Sequence, residues 1–274
     1  MAITAADVNK LRTITGAGMM DCKKALEESN GDFDGAIDYL RKKGQKVAAK
    51  RADREAMEGV IIAKTNASGD KGIIVHVTSE TDFVSKNADF IKMAQEIADT
   101  AINNFPASAD DLMNLDCGGI TVGTKLAEAA GKIGEKIELG SYERVEAASV
   151  VPYIHLGYRI GVLVSMNKPG FDALGKDVAM QVAAMNAIAV DRTDVPQEVL
   201  DKEYEIGKDI ALQEGKPEAM IEKIAQGKVE KFLKDNTLLT QAFVKDGSKT
   251  VGQAVKEADA DLKVLQFKRV ALGK

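Results

Sequence analysis

Gly72-Ile-Ile-Val-His-Val77 runs through Thr78-Ser79-Glu80 into Thr81-Asp82-Phe83-Val84. Residues 73–77 are apolar and mostly β-branched, and they follow the turn-forming cluster 66–70, so they read as a buried strand. Asn87 is placed to cap a helix that follows. With a partner strand upstream at 59–65, the junction reads as a hairpin feeding a helix, the unit of an α+β fold. On the short connection an acid stands next to a large aromatic. Phe83 either packs under the helix as core, or projects as a rigid apolar anchor beside a charge, which suits contact with another protein.

Composition narrows the classes. A chain of 274 residues supports a sizeable core and two or three domains. A net charge of −5 argues against broad nucleic-acid binding, which needs a basic face. Aromatics are only 5% and Trp is absent, so stacking platforms for single strands are not expected. Cys22 and Cys117 form no ligand cluster and no C-x-x-C, as in a reducing compartment. No apolar run approaches a membrane span, and Met1-Ala-Ile-Thr-Ala-Ala-Asp7 lacks the features of a secretory signal.

Outward from the central junction, the chain divides. Residues 1–44 read as three short helices: Thr4 caps the first, with Asp7 making a near-miss of a capping box, and Gly16 and Gly18 turn the chain. Cys22, Ala25 and Leu26 mark the second helix; Phe33, Ile37 and Leu40 mark the third, with Gly44 as its stop. So small a unit resembles a ubiquitin-associated (UBA-like) module. Residues 45–57 are a charged linker, helical or flexible. Residues 58–146 form a first core subdomain: the hairpin 59–65 and 71–78, an amphipathic helix 87–104, helix-prone stretches after Ser108 and over 121–131, and a strand over 137–145. Residues 147–274 repeat the order with a hairpin over 150–156 and 159–166 and a helix over 172–190. Within them, about 196–235 form two helices broken at Gly215-Lys216-Pro217, their narrow apolar stripe suggesting a projecting antiparallel arm. A helix over 250–257 and a strand over 262–270 close the chain.

Catalytic constellations are missing from the sequence. There is no G-x-x-x-x-G-K-[ST], no H-E-x-x-H and no G-x-S-x-G. His76 and His155 each sit in an apolar, strand-like run, where a histidine is a structural residue more often than a base.

Thr81-Asp82-Phe83-Val84, followed by Ser85 and Lys86 and set after a short strand, resembles the hallmark motif of the elongation factor Ts family. A second signature of that family lies at Leu11-Arg12 and Thr15-Gly16-Ala17-Gly18-Met19-Met20-Asp21-Cys22-Lys23-Lys24-Ala25-Leu26. The similarity covers nearly the whole chain and is weakest over 105–122 and at the C-terminal end. The resemblance implies a cytoplasmic guanine-nucleotide exchange factor that binds elongation factor Tu in its GDP-bound and nucleotide-free forms. It implies no covalent chemistry, no cofactor or metal of its own, and no direct contact with nucleic acid or membrane. By the same resemblance, Asp82 and Phe83 enter the GTPase near its Mg²⁺ site, while Thr81 and Val84 hold the loop. Met19, Met20 and Lys23 dock on the nucleotide-binding domain. Ile133 and Gly134, within Lys132-Ile-Gly-Glu-Lys-Ile137, make a further contact. Gln181, where the family often has His, reaches another partner domain from the helix 178–184, and Val244 adds a contact near the core. The helical pair corresponds to the family's coiled-coil arm. Some members add a C-terminal helix that docks on the GTPase; no such helix is visible after the 262–270 strand, a departure from that pattern.

Two other classes compete. A protein-binding adaptor with a UBA-like module binds without speeding nucleotide release. A hydrolase or transferase needs a pocket of convergent titratable groups, for which the spacing gives no support.

Overall fold

The computed structural model describes residues 3–273; Met1, Ala2 and Lys274, on which the readings of the chain ends partly rest, lie outside the described residues. Helix α1 (Ala5–Thr15) begins with a complete capping box: the Asp7 N–H donates to the Thr4 hydroxyl, and the Thr4 N–H donates to the Asp7 carboxylate. Gly16, at φ 64°, ends it. Helices α2 (Met19–Glu28) and α3 (Phe33–Lys50) fold against it, burying Val8, Leu11, Cys22, Ala25, Leu26 and Ala36.

Strands β1 (Glu58–Thr65) and β2 (Lys71–Ser79) form the expected antiparallel hairpin, from Glu58 opposite Ser79 to Thr65 opposite Gly72. A single helical turn, α4 (Asp82–Ser85), leads into α5 (Ala88–Asn104), whose first N–H groups, those of Asp89 and Phe90, donate to the Asn87 side chain. Helices α6 (Ala109–Asn114) and α7 (Val122–Ile133) follow, and β3 (Glu138–Glu146) adds to the free edge of β2. Gly44 is not the stop it was expected to be. Helix α3 continues to Lys50, and Gly44 is buried where α3 crosses α7. A Cβ at Gly44 would lie 2.7 Å from the Ala127 carbonyl oxygen, and one at Gly131 would run into the Gly44 Cα. The glycine serves close helix approach instead of helix termination, and residues 45–50 of the expected linker belong to α3.

The same succession then recurs. Strands β4 (Ser149–His155) and β5 (Ile160–Met166) pair, and α8 (Asp172–Met185) follows. Helix α8 stops short of the expected Val190 because Asn186 adopts the left-handed conformation at φ 49°. Helices α9 (Gln197–Gln213) and α10 (Glu218–Asn236) run side by side with Gly207 against Ala225. This pair leaves and returns at one place: the Ile188 N–H donates to the Asn236 carbonyl, and the Leu238 N–H to that of Ala189. A small hairpin of β6 (Ala242–Phe243) and β7 (Asp246–Thr250), not foreseen from sequence, precedes α11 (Val251–Ala258). Strand β8 (Val264–Ala271) completes the second sheet beside β5.

Strand alternation explains the layering. Val60, Ile62, Ile73, Val75 and Val77 pack on α5, while Ile61, Ala63 and Ile74 face Val150 and Leu163 of the second sheet. On that sheet's other side Val151, Val162 and Val164 meet α8. The order is helix, sheet, sheet, helix, so both faces of each hairpin are buried and their runs read as continuously apolar. No helix among the described residues is long and apolar enough to cross a membrane.

His76 lies on the sheet-to-sheet side of β2, its Nε2 buried without a partner, and burial pushes its pKa down to about 4. The folded protein therefore keeps it neutral, while the unfolded chain titrates it near the ordinary 6.5. Its contribution is intact above pH 6.5 and is lost as pH falls toward 4. Unfolding free energy should drop by roughly 2 kcal/mol from this residue between neutral pH and about pH 4.5. Urea titrations at the two pH values check this: His76→Leu should show a loss smaller by that amount.

Candidate functional site

The second hairpin strand ends at Ser79, and the chain turns sharply at Glu80 and Thr81. Both N–H groups at this corner donate to one oxygen of Glu135, at 3.1 Å and 3.0 Å, and the Thr81 hydroxyl donates to the other at 2.6 Å. Glu80 in turn accepts the Lys136 backbone N–H at 2.6 Å and the Arg51 guanidinium at 2.6 Å, with Arg54 at 3.3 Å. Burial by itself would raise the Glu80 carboxyl, but these donors bring it below its ordinary range, so it is ionised at neutral pH.

Helix α4 carries three of the four residues singled out from the sequence, and Thr81 stands at its N-cap. Phe83 is 85% exposed, so of its two readings the structure takes the projecting one. Val84 turns inward and packs on the first core, and Thr81 is committed to Glu135. Asp82 is hydrogen-bonded to Lys86 Nζ at 2.6 Å, and that bond and the ammonium charge hold its carboxyl below the usual range. An ionised acid and a bare aromatic ring thus stand side by side on a turn whose backbone is pinned from below.

Phe83 lines a groove together with Ile14, Met93, Ala129, Lys132 and Ile133. Ile133 is exposed at the end of α7, and Gly134 caps that helix in the left-handed conformation at φ 83°. Met19 and Met20 are exposed at the start of α2, flanked by Ala17 and Asp21, which share a second groove with Ile14 and Lys132. Lys23 is exposed and lies 3.8 Å from Glu27 one turn on. Phe83, Ile133 and Ile14 thus share one groove between the first helix, α5 and α7.

Gln181 and Val244 lie elsewhere, in the second half of the fold. Val244 is exposed, but Gln181 does not reach the surface expected of it: it is 0% exposed. Its amide donates to the Gln241 side chain and the Ala242 carbonyl, both at 3.1 Å, and its oxygen accepts the Val244 N–H at 2.7 Å. A partner would feel Gln181 only through the loop it shapes. Gln181→Leu should cost about 1–3 kcal/mol, because it leaves the buried Gln241 side-chain oxygen without this donor and frees two partly buried backbone groups; urea denaturation measures it.

Sequence reasoning missed Glu80, Glu135, Lys136, Arg51 and Arg54 as parts of the site. Glu135 and Lys136 stand inside the segment already singled out by Ile133 and Gly134, but their partners are 54 to 56 residues away. Arg51 and Arg54 read as a solvated basic run.

Comparison with known proteins gives one consistent match. The family model "Elongation factor TS" covers residues 80–274. A protein of Christiangramia forsetii named elongation factor Ts is 54% identical over 99% of this chain and 99% of its own length. Proteins of the same name from Flavobacterium psychrophilum and Amoebophilus asiaticus are 53% and 52% identical, covering 99% and 100% of each chain.

Proposed function

The chain belongs to the elongation factor Ts family, and from that membership we propose how it promotes guanine-nucleotide exchange on elongation factor Tu. A GTPase holds its nucleotide by cradling the phosphates and by a Mg²⁺ ion bridging to them. Asp82 and Phe83 are set against the elements that position that ion. Phe83 wedges apolar bulk between them, and Asp82, kept ionised by Lys86, adds a misplaced negative charge. One carboxylate makes a poor chelator, so the ion leaves because its surroundings shift. GDP, having lost a counter-charge, follows. The protein itself forms and breaks no covalent bond.

Accelerating release about ten-thousand-fold means lowering the barrier by about 5.5 kcal/mol. Several contacts share that. Met19, Met20 and Lys23 dock on the nucleotide-binding domain, joined by Ile133 and Gly134 across the groove. Val244, on the loop shaped by Gln181, adds a further contact near the core, and the helix bearing Gln181 faces a different domain of the partner. Coupling is reciprocal: a factor that weakens nucleotide binding is itself displaced by nucleotide.

The same reading treats residues 1–44 as a UBA-like docking module, 58–146 and 147–274 as the two core subdomains, and 196–235 as a coiled-coil arm. It places the protein in the cytoplasm, with no direct role for nucleic acid or membrane. The observation that carries it is Phe83, a large aromatic left in solvent on a backbone pinned by Glu135. Stopped-flow release of a fluorescent GDP analogue from elongation factor Tu tests it. A large acceleration by this protein is the expected result. Binding without acceleration would sink the exchange reading and leave the adaptor.

A further inference from the structure

We propose that Glu135, seconded by Glu80, is a positioning residue for exchange: the two carboxylates cross-brace the turn that presents Phe83. The inference rests on the exchange reading of Asp82 and Phe83.

Helix α4 cannot hold itself. Four residues form one turn, and an isolated turn is unfavourable because it fixes several dihedrals for few hydrogen bonds. The neighbouring elements supply one bond each: the Ser79 hydroxyl donates to the Thr81 carbonyl at 3.0 Å, and the Asn87 N–H to that of Val84 at 3.0 Å. The ladder of β2 with β1 ends at Ser79, and α5 starts its own cap at Asn87. Thr81, the residue in position to cap α4, makes no side-chain cap, and its hydroxyl donates to Glu135. Val84 alone anchors the turn by packing. The densest constraint is Glu135, which takes three donors from Glu80 and Thr81.

The brace is reciprocal. Glu135 follows the α7 cap and holds the backbone of Glu80 and Thr81; Glu80 holds the backbone of Lys136. Each carboxylate thus ties down the other's segment. Two segments fixed to each other lose freedom before any partner arrives. The end of α3 joins in. Arg51 and Arg54 clasp Glu80, and Lys136 Nζ donates to the Ala52 and Arg54 carbonyls at 2.8 Å and 3.1 Å. The turn bearing Phe83 is therefore registered against the N-terminal helices as well as the first sheet.

The consequence separates rate from affinity. Other contacts bring the partner in, while the brace sets the ring's angle once it is there. With Glu135→Ala, the release rate at saturating protein should fall about tenfold, and the half-saturating concentration should move less than about threefold. Glu135→Gln should restore most of the lost rate. Its carbonyl oxygen accepts the two N–H groups, and its amide donates to Thr81 Oγ1.

The experiment is the GDP-release titration on five full-length proteins: the parent, Glu135→Ala, Glu135→Gln, Thr81→Val and Phe83→Ala, each checked by thermal unfolding. A lowered plateau for Glu135→Ala with recovery in Glu135→Gln supports the brace. An unchanged plateau, or a change confined to half-saturation, overturns it. Equal damage by Gln and Ala also overturns it, since charge would then be what matters. If Glu135→Ala does not fold, Thr81→Val decides: a plateau about threefold lower supports the brace, and an unchanged one overturns it. Phe83→Ala keeps the two readings apart. If it exchanges like the parent, the loop reading fails first; if it is impaired while the brace variants are not, the brace alone fails.

Discussion

Phe83→Ala lowers the release rate reached at saturating protein by about ten- to a hundredfold while leaving thermal unfolding unchanged. The two halves of this expectation come from one observation. A ring 85% exposed contributes almost nothing to the fold, so its removal opens no cavity and strands no polar group. At an interface the same ring is a rigid anchor beside a charge, the kind of residue whose truncation costs about 1.4–2.7 kcal/mol of binding or barrier. That range converts to the stated fold-change. Stopped-flow release and a thermal melt on the same preparation read both halves. A full-speed Phe83→Ala would remove the wedge from the mechanism. A destabilised one would show the ring buried in solution.

Gly131→Leu is expected to be the most damaging single change outside the central sheets. Helices α3 and α7 cross at Gly44, Ala127 and Gly131 with backbone against backbone, so even a methyl group at Gly131 meets the Gly44 Cα. An isobutyl group forces the helices apart or bends α3, a strain of roughly 3 kcal/mol or more. The cost falls on one region. The N-terminal helices reach the rest of the molecule chiefly through this crossing, with Arg41 to Glu128 at 2.7 Å, Ala48 on the first core, and the bonds of Arg51, Arg54 and Lys136 described above. Urea denaturation should show a lowered first transition. Proteolysis should open the chain within residues 51–57, while the two sheets stay protected. An unaltered urea curve would mean the crossing has slack.

Much of the architecture was legible because the decisive signals are local. The first hairpin shows itself in two β-branched runs around a turn cluster, and α5 in a cap residue ahead of a periodic stripe. The helical pair shows itself in a stripe interrupted by Gly215-Lys216-Pro217. Misreadings arose where one residue type serves two purposes. Gly44 looks the same whether it ends a helix or lets another backbone approach. Asn186 could sit inside a helix, yet it ends one while apolar residues continue beyond it. Gln181 carries the polarity of a surface residue, and only the loop folded over α8 makes it a core one. Within the candidate site, Asp82 and Phe83 stood out because an acid beside an aromatic on a strand-to-helix connection is locally odd. Glu135 did not, since a carboxylate receiving backbone N–H groups 54 and 55 residues away leaves no local trace.

The long helical pair departs from the fold beside Ala189 and rejoins it beside Thr237, where the two residues form a parallel bridge. A segment whose ends already touch is, topologically, a socket and plug. Its length is free to change without moving the strands on either side, because closure entropy grows only slowly with the number of residues enclosed. Whole turns could be added or deleted in register, or a foreign domain grafted there, and the path of the remaining chain would be the same. Lineages that diverge in what this protein touches at a distance therefore have a place to do so that leaves the rest of the fold undisturbed.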